Sequence, residues 1–109
     1  MSRDEIPPGT LYLLILKTLA LHGESHGFEI ADAIQRGTND VLQVEEGSLY
    51  PALQRMLIKG WVTAQWGVTA GNRRARYYKL TASGRKQLAV EVSQFERVMG
   101  AIARVIQTA

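Results

Sequence analysis

No cysteine occurs among the 109 residues, which excludes a disulfide framework, a thiolate zinc site and a cysteine nucleophile. Long apolar runs are missing too. The longest, Leu11 to Leu16, spans six residues, far short of the ~20 that cross a bilayer. The opening Met1-Ser2-Arg3-Asp4-Glu5 lacks the order of a secretory leader, so the expectation is a cytoplasmic chain with no membrane partner. Aromatic residues are sparse at 7%, and with 46% hydrophobic and 21% charged residues the composition is that of one globular domain. A chain this small has much surface for its core and gains stability by burying area against a second copy.

The most informative absence is of carboxylates. Residues 47–90 contain no Asp or Glu but hold Arg55, Lys59, Arg73, Arg74, Arg76, Lys79, Arg85 and Lys86, a charge of +8. Residues 1–46 carry −5 and residues 91–109 balance, so the net +3 conceals a strong segregation. A 44-residue stretch without one acid suits a polyanion, because each neutralised phosphate releases counterions and each misplaced carboxylate would repel. A solvated basic face is the reading that charge by itself leaves open.

Catalytic patterns are missing as well. There is no Ser/His/Asp order, no phosphate-cradling glycine loop and no close carboxylate pair in an apolar setting. His22 and His26 are four apart, but Gly23 and Gly27 put them in a turn, and no third or fourth ligand lies near. Glu45-Glu46 reads as the acidic start of a helix, favoured by its dipole. No enzyme, metal or cofactor is expected.

What is present is a clear order of elements. Pro7-Pro8-Gly9 stops any earlier helix, and Thr10 is placed to cap a first helix from about residue 10. Its apolar residues Leu11 to Leu21 go nearly all round the cylinder, so two faces need burial, one of them against another subunit. Phe28, Ile30, Ala31 and Ile34 predict a short second helix ending at Arg36-Gly37. A polar connection over 38–46 leads to a third, in which Leu49, Leu53, Met56 and Leu57 form the buried stripe. Pro51 fits only in its first turn, which places the start at Gly47 or Ser48, and Gly60 ends it. Residues 61–66 and 76–80 predict a hairpin around a turn containing Gly67, Gly71 and Asn72. Thr81 caps a last helix whose Leu88, Val92, Phe95, Met99, Ile102 and Ile106 are spaced 4, 3, 4, 3 and 4, a heptad seam suited to helix pairing. A helix laid on its own core would show the same stripe.

Three helices, a hairpin and a long helix, with the positive charge confined to the later elements, describe an α+β, mostly α fold: a winged helix-turn-helix over 9–81 and a dimerisation helix over 82–108. In such a unit the third helix enters the major groove and the wing follows the backbone or minor groove. Gly47, Ser48, Pro51, Gln54, Arg55 and Ile58 point outward. Gln54 suits adenine and Arg55 guanine, while Ser48 suits either a phosphate or a helix cap. Tyr50 and Lys59 complete the helix candidates, and Asn72, Arg73, Arg74 and Arg76 form a basic tip that a solvated turn would also explain. Tyr77 and Tyr78 are expected in the core. The expected partner is double-stranded operator DNA, the competing reading being a winged helix used as a protein- or ligand-interaction module.

Leu14-Ile15-Leu16-Lys17-Thr18-Leu19 followed by His26-Gly27-Phe28-Glu29-Ile30, then Glu46-Gly47-Ser48-Leu49-Tyr50-Pro51-Ala52-Leu53, Lys59-Gly60-Trp61 and Arg74-Ala75-Arg76-Tyr77-Tyr78-Lys79-Leu80-Thr81-Ala82-Ser83-Gly84 resemble the PadR family of bacterial transcriptional regulators over residues 9 to about 90. The resemblance implies a homodimeric repressor whose C-terminal helix packs on the first helix of a second copy. Leu11, Leu14 and Ile15 with Leu88, Val92, Phe95, Met99, Ile102 and Ile106 are the interface candidates. It also implies release from DNA by a small aromatic or hydrophobic effector, with Phe95 where smaller members commonly carry a central aromatic. Phe28 stands where tyrosine is more usual. The single C-terminal helix is similar to the smaller subtype.

Overall fold

The computed structural model describes residues 4–108, so the first three residues of the opening segment lie outside the described residues. The first helix, α1 (Leu11–His22), starts where the Pro-Gly segment ends. Thr10 occupies its N-cap position without capping it, because the hydroxyl donates instead to the Pro7 carbonyl at 2.8 Å. Ile15, Leu16 and Leu19 on one face are fully buried, whereas Leu11, Leu13 and Leu14 are half-buried and Leu21 is exposed. Ile15 therefore corrects an expectation: it has no surface left for another subunit and belongs to the core of its own chain.

Helix α2 (Gly27–Gly37) directs Ile30 and Ile34 into that core. Its first turn is held by a capping box that sequence reading did not find. The Glu29 N–H donates to His26 Nδ1 at 3.4 Å, and the His26 N–H donates to Glu29 Oε1 at 3.0 Å, so each orphan N–H is satisfied by the other residue's side chain. Helix α3 (Glu46–Ile58) lays Leu49, Ala52, Leu53 and Met56 on the core. Leu49, Leu53 and Met56 each contribute about 1.5–3 kcal/mol when fully buried. The helix begins before the expected Gly47 or Ser48, with Glu45 at the N-cap position, so Pro51 lies one turn beyond the site where a missing N–H is harmless. Gly47, whose carbonyl loses this partner, is exposed.

Two seven-residue strands, β1 (Val62–Val68) and β2 (Arg74–Leu80), form the wing, in register from Val62 opposite Leu80 to Val68 opposite Arg74. Gly67 is thus in a strand and not in the turn. Arg74 and Arg76 also leave the expected flexible tip for regular strand positions, and the turn itself is Thr69 to Arg73, with Asn72 in the left-handed region at φ 61°. Ser25–His26 adds a third, two-residue strand antiparallel to Tyr77–Tyr78, so β2 is central and the hairpin is anchored to the helical layer. Asp4–Glu5 pairs in parallel with Leu42–Gln43, tying the chain start to the loop before α3.

Helix α4 (Ala82–Gln107) leaves the wing through a tight junction. Thr81 Oγ1 accepts from the Gly84 N–H at 3.0 Å and donates to the Gly60 carbonyl at 2.7 Å, while the Thr81 N–H reaches the Trp61 carbonyl at 3.1 Å. One residue thereby caps α4 and closes the loop that ends α3. Thr81→Val is expected to cost about 1–2 kcal/mol, read as a lower urea midpoint, with Thr81→Ser retaining wild-type stability; an unshifted midpoint for valine would remove this role. Helix α4 packs on α1, with Leu88 against the core. In its second half Phe95, Met99 and Ile102 are 40–46% exposed. Among the described residues no helix is long and apolar enough to cross a membrane.

Candidate nucleic-acid interface

The buried line of α3 leaves Gly47, Ser48, Pro51, Gln54, Arg55 and Ile58 exposed on the opposite side, as the spacing predicts. Ser48 is the third residue of the helix, so it does not serve as the N-cap; among the described residues its hydroxyl has no hydrogen-bond partner. Arg55 departs from the expected outward fork. Its Nε donates to the Tyr12 hydroxyl at 2.6 Å and its guanidinium lies 5.6 Å from the Tyr12 ring centre, which draws it sideways toward α1. Tyr12 itself meets Trp61 edge-on at 5.3 Å, and Lys59 Nζ rides 5.2 Å over Trp61. Lys59 thus sits at the far end of α3, away from the wing tip.

On the other flank, Tyr50 faces the wing. Its ring covers Gly27, where a Cβ would come within 2.6 Å of the tyrosine hydroxyl. Tyr50, Gly27, Phe28, Trp66, Arg74 and Arg76 line an open groove of about 430 Å³ between the wing, α2 and α3. Arg74 lies 4.7 Å over the Trp66 ring, within cation–π range. Tyr78, at the floor, is buried as expected, and Tyr77 stacks edge-on against His26 at 5.2 Å. Burial raises the Tyr78 phenol above its ordinary value, the Arg76 charge opposing and Tyr50 adding to the rise; it stays protonated at neutral pH. Neither Tyr12 nor Trp66 is among the site candidates of the sequence. The Tyr12–Arg55 contact joins residues 43 apart, beyond any local pattern, whereas Trp66 was visible as an aromatic beside an arginine-rich turn.

Electrostatics sets this surface apart. Among the described residues the ion pair between permanently charged groups is Arg36 with Asp32 at 2.8 Å, and His26 Nε2 lies 3.6 Å from Glu29 Oε1. Neither involves the eight bases of residues 47–90. Three of those bases rest on aromatic rings instead of carboxylates, which holds a cation in place without neutralising it. His22 and His26 end in different elements, and among the described residues no group of three or more His, Asp or Glu could hold a metal ion.

The model of the "Transcriptional regulator PadR-like family" matches residues 15–90. An uncharacterized protein of Lysinibacillus sphaericus is 32% identical over 98 residues, which is 90% of this chain and 89% of that one. A transcriptional regulator from Clostridium thermocellum has a similar structure, with a TM-score of 0.81 and 26% identity over 91% of this chain and 95% of that one. The PadR of Bacillus subtilis, solved in complex with operator DNA, superposes with a TM-score of 0.68 at 23% identity, over 80% of this chain and 48% of the other.

Proposed function

Because the chain belongs to the PadR-like family of transcriptional regulators, transcription factors and not enzymes, we propose that it acts as a homodimeric repressor that binds double-stranded operator DNA sequence-specifically. The observation that carries this reading is the set of eight bases on α3, the wing and the start of α4, none paired with a carboxylate among the described residues. Uncompensated cations gathered in one stretch of a small domain are relieved by a polyanion. The operator complex of the Bacillus subtilis PadR supports the same partner.

In this reading residues 9–81 make the DNA contacts and 82–108 the dimer. Helix α3 enters the major groove with Gln54 on a base, while Ser48, Tyr50 and Lys59 meet phosphates along its length. Arg55, drawn back over Tyr12, serves a flanking phosphate in preference to the guanine expected from spacing. The wing supplies Asn72, Arg73, Arg74 and Arg76 to the backbone, Asn72 chiefly by holding the turn. Leu11 and Leu14 on α1, with Leu88, Val92, Phe95, Met99, Ile102 and Ile106 on α4, pair the subunits. An open groove of about 350 Å³ lined by Leu13, Phe95, Val98 and Met99 supports binding of a small aromatic or hydrophobic effector beside that seam, releasing the repressor.

Removing Arg73 and Arg74 from both subunits deletes up to four phosphate contacts, so the log–log salt dependence of operator binding should flatten by about 3–4 units at ~0.9 per contact. Gln54→Ala should instead narrow the gap between operator and scrambled duplex, with the salt slope kept. An unchanged slope together with equal affinity for all duplexes would favour the protein-interaction module.

A further inference from the structure

The middle of the outward face of α3 differs in kind from its flanks. At 100° per residue, Gly47, Pro51, Gln54 and Ile58 fall within about 60° of one another, opposite Leu49, Leu53 and Met56. All four are exposed, and Ile58, at 77%, is the most exposed large hydrophobic side chain among the described residues. The strip carries no charge. The cations stand to its sides, Arg55 folded over Tyr12 toward α1 and the wing arginines beyond Tyr50.

The chemistry of a base pair's major-groove edge decides what such a strip can read. With no guanidinium at its centre it lacks the fork that fits guanine O6 and N7, and with no carboxylate it cannot accept from the cytosine amino group. It offers one amide, which matches adenine N6 and N7, and two carbon surfaces, whose counterpart in that groove is the thymine methyl group. An isoleucine held in water on a surface otherwise built for a polyanion gains only by covering apolar atoms of that partner. We infer that the neutral strip selects A·T base pairs, with Gln54 on an adenine and with Pro51 and Ile58 against thymine methyl groups. The inference rests on the placement of α3 in the major groove proposed above and supplies its base chemistry. Seven residues of helix separate Pro51 from Ile58, a rise of about 10 Å. At ~3.4 Å per base step the two methyl contacts lie about three steps apart.

The test selects duplexes from a random library with the full-length protein. Each thymine of the selected half-site is then replaced by deoxyuridine, which keeps every hydrogen bond and removes only the methyl. An A·T-rich half-site is expected, in which two uridine positions about three steps apart each weaken binding about fourfold. Ile58→Ala should abolish the loss at one position and Pro51→Ala at the other; both side chains are exposed, and the uridine arm leaves the protein untouched. Selection of a G·C-rich half-site, or unchanged affinity with uridine throughout, overturns the strip while DNA binding stands. A library from which nothing is enriched overturns the DNA-binding reading itself, and the strip with it.

Discussion

Replacing Gly84 by alanine should cost about 3 kcal/mol, the upper end of the usual penalty for overpacking, and lower the thermal midpoint by roughly 10–20 °C. A Cβ at this position would lie inside the contact distance of the Trp61 carbonyl oxygen and 2.7 Å from Leu80 Cδ1. The carbonyl cannot swing away, because it accepts the Thr81 N–H, and Thr81 in turn caps α4 through the Gly84 amide. Alanine would therefore have to lift α4 off the wing. Gly37, with nothing within 4 Å of its Cβ position, is the control, and Gly37→Ala should melt close to wild type. Circular dichroism melts at one fixed protein concentration compare the three proteins. A Gly84→Ala midpoint within the error of wild type would mean that the junction can open at little cost.

The double variant Phe95→Asp, Met99→Asp should sediment as a monomer at concentrations where the wild type is dimeric. Both side chains lie in the second half of α4, 40% and 41% exposed in the single chain. A dimer built on this seam buries four such side chains. At about 1 kcal/mol each for the two-fifths of their surface that remains to be covered, their loss amounts to ~4 kcal/mol, about a thousandfold weaker association before the cost of the buried carboxylates is counted. Retained helical signal with loss of dimer supports the pairing proposed for α4. A folded dimer of unchanged affinity would place the subunit contact elsewhere. Operator binding should fall together with dimerisation, since two half-sites are read by two subunits.

Most of the architecture was legible because it rests on local signals. Thr81 and Gly60 mark ends by their chemistry, and the line Leu49, Leu53, Met56 marks a buried helix face by its period. The errors have physical causes. Pro51 was expected in the first turn, yet an exposed Gly47 tolerates the lost hydrogen bond. Gly67 reads as a turn residue, but the Tyr77 ring covers the place a side chain would occupy, so a strand position suits glycine there. Pairs of residues such as Ser25–His26 are too short to show alternation, and their strand character comes from Tyr77 and Tyr78, about fifty positions away. His26 is an unusual cap, which hid the capping box. The candidate interface was legible as composition, eight bases and no acid, but not as geometry. The contact that turns Arg55 aside depends on Tyr12 in another helix, and Ile15 looked like interface only because periodicity cannot tell a core face from a face awaiting a second chain.

The anchored wing carries a liability of its own. With β2 in the centre of its three-stranded sheet, β1 is an edge whose outer backbone groups have no strand partner among the described residues. Its sequence, Val-Thr-Ala-Gln-Trp-Gly-Val, has no charge and no proline, and Trp66 and Val68 are exposed along it. Such an edge is a template for strand addition by another molecule. The arginines at the tip repel a second wing, but that repulsion is screened as salt rises. High salt and high concentration, with no duplex to occupy the wing, are therefore the conditions that favour self-assembly into aggregates.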